Sequence, residues 1–250
     1  MKKALWMMAI AAVAVSGLWA QPKPKSQKEV DALMAIQNAQ GPDAQIAAVE
    51  NLLTKFADTE FKVMALQMAT QAAQQKGDLG IMTGYAERTL KADPKNYIVM
   101  LMLAQATAQQ TREFDLDKDE KLKNSEKLAN EALEILKTAP KFRPDLTDEQ
   151  WAGAKKDFEA QGLETLGMTA MVRKNYPEAV NQFKKAVDTQ ASPDAATKVR
   201  LGTAYNAAGN YDAAIMTMDA VLAMPDLHPS IRTVAGQEKL KAAQAKAAKK

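Results

Sequence analysis

The sequence predicts an all-α protein, an α-solenoid of about five helix-turn-helix repeats with a C-terminal capping helix. The 250-residue chain is rich in the helix formers Ala, Gln, Lys, Glu, Leu and Met, and aromatic residues make up only 6%. A second observation is an internal repeat: "NYPEAVNQFKKAV" at 175–187 returns as "NYDAAIMTMDAVL" at 210–222. Such a period is typical of arrays in which each unit packs on its neighbours. We expect the repeats over 28–228 and the capping helix over 229–250.

The N-terminal segment over 1–20 has the three-part form of a secretory signal peptide. Lys2 and Lys3 precede an uncharged stretch, and Ala20 suits the residue before a cleavage site, although Leu18 is larger than usual at its position. The alternative is an uncleaved membrane anchor, for which about 17 apolar residues is slightly short. We therefore expect a periplasmic protein, or one anchored in the inner membrane, with a Pro/Lys-rich linker over 21–27.

The first three helices are predicted from cap signals. Ser26 and Glu29 form a capping-box pattern that begins a helix ending near Gly41. A proline in the first turn begins the second helix, and Thr59 is the expected cap of a third helix that reaches Lys76. "KGDLG" then separates the third helix from the fourth, so this part of the chain has the rhythm of paired helices.

The middle of the chain carries a charged insertion. A fourth helix is expected to end near Ala92 and a fifth to run from Tyr97 to Gln110, where the apolar run "YIVMLMLA" favours a helix packed on both sides. "TREFDLDKDEKLKN" over 111–124 then interrupts the rhythm. The next helix is expected from Ser125 to Lys137, so the insertion is interpreted as a solvated loop.

The last part of the chain returns to regular helix pairs. Thr147 with Gln150 predicts the start of a long helix that ends near Arg173. The final helix ends in the basic tail "KAAQAKAAKK", which has too few large apolar residues to bury its last turns. We therefore expect that end to fray.

The two clearest repeats align residue by residue at an offset of 35. Small residues in one helix stand opposite large ones in the next, which allows two antiparallel helices to approach closely, while asparagines before the tyrosines are suited to capping. The recurrence is therefore interpreted as structural. The residues assigned to this packing are Gly167, Tyr176, Ala179, Phe183, Gly202, Tyr205, Tyr211 and Ala214.

These residues resemble the tetratricopeptide repeat (TPR), whose pattern is Leu-Gly-x-x-Tyr, then Ala-x-x-x-Phe, then Pro. "LGTAY" at 201–205 with Gly209 matches closely, whereas "LGMTA" at 166–170 departs because Ala170 replaces the Tyr and Lys174 replaces the turn glycine. The resemblance implies a non-catalytic scaffold or adaptor that binds proteins in a groove lined by the first helix of each repeat.

The groove positions follow from the family's offsets. They are amide-rich and partly apolar, which suits an extended peptide or a helix of a partner protein, although glutamines also simply fill solvated helix faces. The positions are Gln67, Gln71, Gln74, Gln105, Gln109, Met168, Met171, Thr203 and Asn206. Arg200 lies near the place of a clamp for a terminal carboxylate, but the full set of clamp residues is not present.

Composition argues against most other functions. The net charge of +3 gives no field for nucleic acid, cysteine is absent, and His228 is the single histidine, so we predict no enzyme activity, metal or cofactor. The weakest alternative is a calcium or enzymatic site at 115–126, where spaced carboxylates are opposed by lysines and Glu120 stands where the sharp turn needs glycine. A membrane-tethered accessory subunit is the other alternative. The sequence carries nothing on oligomeric state.

Overall fold

The computed structural model describes residues 22–192 and 194–249, and throughout these ranges the regular secondary structure is α-helical. The helices are α1 Gln27–Asn38, α2 Pro42–Lys55, α3 Lys62–Lys76, α4 Leu79–Ala92, α5 Tyr97–Gln110, α6 Lys118–Thr138, α7 Asp148–Val172, α8 Tyr176–Thr189, α9 Ala195–Ala207, α10 Tyr211–Leu222 and α11 Pro229–Ala248. Within the described ranges they form five consecutive hairpins, α1/α2 to α9/α10, followed by α11. The predicted α-solenoid with a capping helix is confirmed.

The expectation of a signal peptide or anchor over 1–20 lies outside the described residues. Among the helices of residues 22–249, none is both long and apolar enough to cross a membrane.

Packing runs along the chain from one helix to the next. Each helix contacts its successor, and α5 also contacts α3 and α7, as the capping helix α11 does α9. The buried apolar residues form successive clusters along the array instead of one central core. This is the arrangement of a solenoid, in which each repeat is stabilised mainly by its neighbours.

Helix α5 is buried on nearly all sides, as its apolar run predicts. Val99, Leu101 and Ala104 have no exposed surface, and α5 contacts α3, α4, α6 and α7. Tyr97 packs edge-on against Phe158 of α7, with 5.4 Å between the ring centroids, and burial raises the pKa of its phenol to about 12. The middle repeat is therefore anchored through its first helix.

The aligned repeats pack through equivalent pairs of a glycine and a large side chain. A Cβ atom placed on Gly167 would lie 2.7 Å from the Phe183 ring, and one on Gly202 would lie 2.5 Å from Met218 Cε. The alanines Ala179 and Ala214 on the second helices have no exposed surface. These contacts show that small residues let the helices of each hairpin approach closely.

One hairpin turn uses a lysine where its equivalents use glycine. Gly77, Lys174 and Gly209 all have left-handed backbone, with φ of 70°, 60° and 76°. The following N–H donates to the carbonyl five residues earlier in each case, as Asn175 N does to Ala170 O at 2.9 Å. A lysine is strained in this conformation, so the turn adopts it at a cost of about 1 kcal/mol.

Removing that strain gives a first prediction. Lys174→Gly is expected to change the free energy of unfolding by less than about 1 kcal/mol, since relief of backbone strain offsets a surface ion pair to Glu113 and the extra freedom of glycine when unfolded. Gly77→Lys is the matched control. Its free energy of unfolding is expected to fall by about 1 kcal/mol, because lysine introduces strain into a left-handed turn that glycine adopts freely. Urea unfolding measures both, and a loss above about 2 kcal/mol for Lys174→Gly would contradict the strain argument.

The start of α3 corrects the expected role of Thr59. The helix begins at Lys62, and Thr59 is buried, with its hydroxyl donating to Glu29 Oε1 at 2.6 Å. Glu29 also accepts from Lys25 N at 2.5 Å, so it does not close the capping box on Ser26, which caps α1 alone. The Thr59 hydroxyl, followed by the Lys25 N–H, holds the pKa of Glu29 below its usual value.

Helix α6 begins at Lys118, seven residues before the expected Ser125. The charged insertion over 111–124 is therefore a short loop over 111–117 followed by two additional helical turns. Asp119 and Glu120 in the first turn favour this start, and Leu122 is buried. The hydroxyl of Ser125 lies inside the fold and donates to the carbonyl of Ala104 at 2.7 Å.

The C-terminal helix, expected over 229–250, runs from Pro229 to Ala248. Ala235 and Ala242 are fully buried, because α11 packs against α9 and α10 through its small side chains. Near its end Lys246 pairs with Asp212, and Lys249 Nζ lies 4.8 Å from the centre of the Tyr211 ring. The structure thus gives these last turns specific contacts to α10.

The two asparagines before the repeated tyrosines behave differently. Asn175 Oδ1 accepts from Glu178 N at 3.4 Å, as expected of a cap. Asn210 occupies the same position before α10 but makes no side-chain cap hydrogen bond. Equivalent positions in the repeat therefore share backbone geometry without sharing every side-chain contact.

Candidate protein-binding surface

The predicted groove positions lie on the first helices of repeats two to five, and we call them the first-helix face. Gln71, Gln74 and Gln109 are exposed, whereas Asn206 is buried. The half-buried members are Gln67, Gln105, Met168, Met171 and Thr203. The structure therefore divides the predicted set into residues that can meet a partner directly and residues used in internal packing.

Polar side chains link the first helices to one another. Gln161 Nε2 of α7 donates to Gln105 Oε1 of α5 at 3.1 Å. Asn96, which caps α5, donates to Gln67 Oε1 of α3 at a longer distance of 3.4 Å. Two of the predicted groove glutamines therefore fix the spacing between neighbouring repeats, a use that the repeat offsets alone do not reveal.

A buried carboxylate links the fourth and fifth repeats. Glu164 of α7 has a side chain only 9% exposed, and it accepts from Arg200 Nη1 at 2.5 Å and from Thr197 Oγ1 at 3.1 Å. The positive charge of Arg200 is therefore compensated inside the protein. This geometry leaves Arg200 unsuited to clamp the terminal carboxylate of a partner peptide.

Asn206 is covered by α11. Its Nδ2 donates to both the backbone carbonyl and Oε2 of Glu238, each at 2.8 Å. The capping helix thus continues the row of polar contacts between first helices and covers Asn206. Asn206 is therefore not part of the exposed surface of the first helices.

The methionines of α7 are shared between the core and the surface. Met168 and Met171 pack against the buried cluster around Phe183 and Leu201, and each is only partly exposed. Their flexible thioethers offer limited apolar contact beside the polar row.

The exposed amides are the solvent-accessible part of the face. Gln71 and Gln74 are three residues apart and share one side of α3, and Gln109 projects one turn beyond Gln105 on α5. Each side-chain amide offers two N–H donors and one carbonyl acceptor. Such groups can pair with the alternating donors and acceptors of an extended peptide backbone.

Four carboxylates over 115–126, those of Asp115, Asp117, Asp119 and Glu126, form ion pairs within the protein. Asp117 lies 2.9 Å from Lys121 Nζ, and Glu126 Oε1 accepts from Arg173 Nε at 2.9 Å. Across the described ranges no group of three or more possible metal ligands converges. His228 caps α11, with Ser230 N donating to its Nδ1 at 3.3 Å.

Comparisons with known proteins place the fold. No family model and no curated protein matches this sequence. Among solved structures, the thermophilic TPR protein TTC0263 of Thermus thermophilus superposes with a TM-score of 0.57 at 14% identity, covering 86% of this chain and 96% of that one. The assembly chaperone of RpL4 (Acl4) aligns at 12% identity over 88% of this chain and 97% of that one, with a lower TM-score of 0.44. The fold is a TPR-like helical repeat.

Proposed function

We propose that this chain is a non-catalytic scaffold or adaptor that binds a partner protein along the exposed part of the first-helix face. The observation that supports this most is the position of Gln71, Gln74 and Gln109 on two adjacent first helices that contact each other. Their side chains are exposed, while neighbouring polar residues hold the helices at a fixed spacing. A rigid surface of this kind loses little conformational freedom on binding.

The expected ligand is an extended segment or helix of another protein. An extended chain presents backbone N–H and carbonyl groups, which side-chain amides can satisfy, and the half-buried Met168 adds an apolar contact. We place this binding in the cell envelope, because the charged and apolar parts of 1–20 have the form of an export signal. A retained segment would instead make the chain a tethered accessory subunit, and mass spectrometry of the mature N-terminus separates the two.

Site-specific photo-crosslinking tests the binding surface. A photoreactive residue at Gln71 or Gln109 is expected to capture the same partner protein in cells. The control places it at Asn51 or Asn181, which are exposed on second helices. An identical pattern of adducts at both pairs of positions would sink the assignment to the first-helix face.

The affinity for the captured partner is expected to depend on the exposed glutamines. Gln71→Glu with Gln109→Glu is expected to weaken affinity about tenfold, since each change removes a hydrogen-bond donor and adds a charge. Asn51→Asp with Asn181→Asp makes the same change in charge on second helices and should leave affinity within about twofold. Titration calorimetry measures the affinity of both double variants. An equal loss of affinity in the two would show that the added charge, and not its position on the first-helix face, weakens binding.

A further inference from the structure

The loop between α5 and α6 exposes two large apolar side chains at its tip. Phe114 is 88% exposed and Leu116 is fully exposed. Single exposed apolar residues are ordinary on protein surfaces, but two of them flank one aspartate in a stretch that is otherwise charged. Neither contributes to the buried clusters of the repeats.

Ion pairs hold this loop against the body of the protein. Arg112 N donates to Asp115 Oδ2 at 3.0 Å, and Lys121 Nζ lies 3.5 Å from the same carboxylate. The N–H of Arg112, followed by Lys121, lowers the pKa of Asp115. Lys174, in its left-handed turn, pairs with Glu113 at 2.5 Å. The acidic side chains of the loop are thereby tied to the repeats, while Phe114 and Leu116 are left in solvent.

An open cleft of about 640 Å³ lies beside the loop, between α4 and α6 and above α5. Leu79 and Leu103 give it an apolar base, and Thr83 lies on its α4 side. Glu87 also lies on that side, whereas Lys121, Lys123 and Lys127 stand on its α6 side together with Asp117 and Glu120.

The cleft is separate from the first-helix face. Leu103 and Thr107 of α5 line it, and each is two residues from a glutamine of the face. Two residues turn an α-helix by about 200°, so Gln105 and Gln109 point to the opposite side of α5.

We propose that this face is a self-association surface, in which Phe114 and Leu116 of one chain enter the cleft of a second copy. The loop and the cleft adjoin at the start of α6. A two-fold axis near that point therefore lets each chain insert its loop into the cleft of the other. The lining of the cleft is balanced in charge, with Glu87, Asp117 and Glu120 beside Lys121, Lys123 and Lys127, so the acidic loop of a second copy meets no net repulsion there.

The size of the contact indicates a weak, reversible dimer. Each buried phenylalanine removes roughly 200 Å² from solvent, and the surface that receives it loses a similar area. Two insertions, with the leucines added, therefore bury on the order of 1,000 Å², which is at the low end for specific complexes. We expect a dissociation constant in the micromolar range.

Disulfide trapping tests the predicted contact directly, because the chain has no cysteine of its own. Leu116→Cys and Thr83→Cys chains of different mass are mixed under mild oxidation. The expected product is the mixed disulfide, whereas Met216→Cys with Thr83→Cys, which uses an exposed residue of α10, should give little. A yield no greater than that of the control pair would overturn the proposed contact.

Sedimentation equilibrium supplies the second measurement. Phe114→Ser with Leu116→Ser is expected to weaken dimerisation at least about tenfold. The matched control is Met216→Ser with Leu240→Ser, which removes two other exposed apolar side chains and should leave it unchanged. A parent chain that stays monomeric up to about 200 µM, as it would if the loop served a different protein or a membrane, overturns the proposal. So does a dimer that persists in the loop variant.

Discussion

Ala214→Arg is expected to lower the free energy of unfolding by about 4 kcal/mol or more. Ala214 has no exposed surface, and α10 is packed between α9 and α11. An arginine there must displace packed side chains and also place a charge in the interior without an acidic partner, and both effects destabilise. The measurement is urea unfolding followed by far-ultraviolet circular dichroism.

The control for this prediction lies on the same helix. Ala220 is exposed, so Ala220→Arg makes the same chemical change and is expected to alter stability by less than about 0.5 kcal/mol. If Ala214→Arg were as stable as Ala220→Arg, the packing of α10 and the alignment of the last two repeats would both be wrong.

The solenoid architecture adds a second expectation for the same variant. Repeats interact only with their neighbours, so damage at α10 should loosen α9, α10 and α11 before the repeats around α5. The unfolding curve should then lose cooperativity and show an early phase. Hydrogen exchange would locate that phase in the C-terminal hairpin and α11.

Local signals and repeat spacing were sufficient to predict most of the fold. The pairing of Gly167 with Phe183 and of Gly202 with Met218 follows from one offset, because both members of each pair lie within a single hairpin. Thr147 and Gln150 likewise form the capping box that their spacing predicts at the start of α7. Such contacts join residues close in the chain, so their patterns are visible in the sequence.

Contacts between distant residues could not be predicted in the same way. Thr59 has the character of a helix cap, but its hydroxyl is drawn to Glu29, thirty residues earlier. The early start of α6 depends on the burial of Leu122 and on the bond from Ser125 to α5. In each case tertiary packing overrides the local preference.

The candidate site shows the same limit. Gln71 and Gln105 carry identical side chains on first helices. Only Gln105 forms a hydrogen bond to the first helix of the next repeat, through Gln161 of α7. Whether such a residue is exposed depends on how one repeat is rotated against the next, which side-chain type does not encode. Asn206 differs again, because a helix beyond the repeats covers it.

Phe183→Ala is the second change with a large expected effect, a loss of about 4 kcal/mol in the free energy of unfolding. The ring is 1% exposed and fills the space above Gly167 between α7 and α8. Gly167→Ala alone should lose about 1 to 2 kcal/mol, because overpacking against the ring outweighs the better helix propensity of alanine.

The double variant tests whether these two residues face each other as the structure shows. Without the ring, the methyl group introduced at position 167 has space and fills part of the cavity, so Gly167→Ala should now stabilise the Phe183→Ala protein by about 1 kcal/mol. Gly84→Ala is the control, since a Cβ there meets nothing within 4 Å, and it should stabilise both backgrounds equally. The four free energies come from urea unfolding. Strict additivity between positions 167 and 183 would mean that the helices of this hairpin do not meet at this glycine, because a contact of 2.7 Å requires strong coupling.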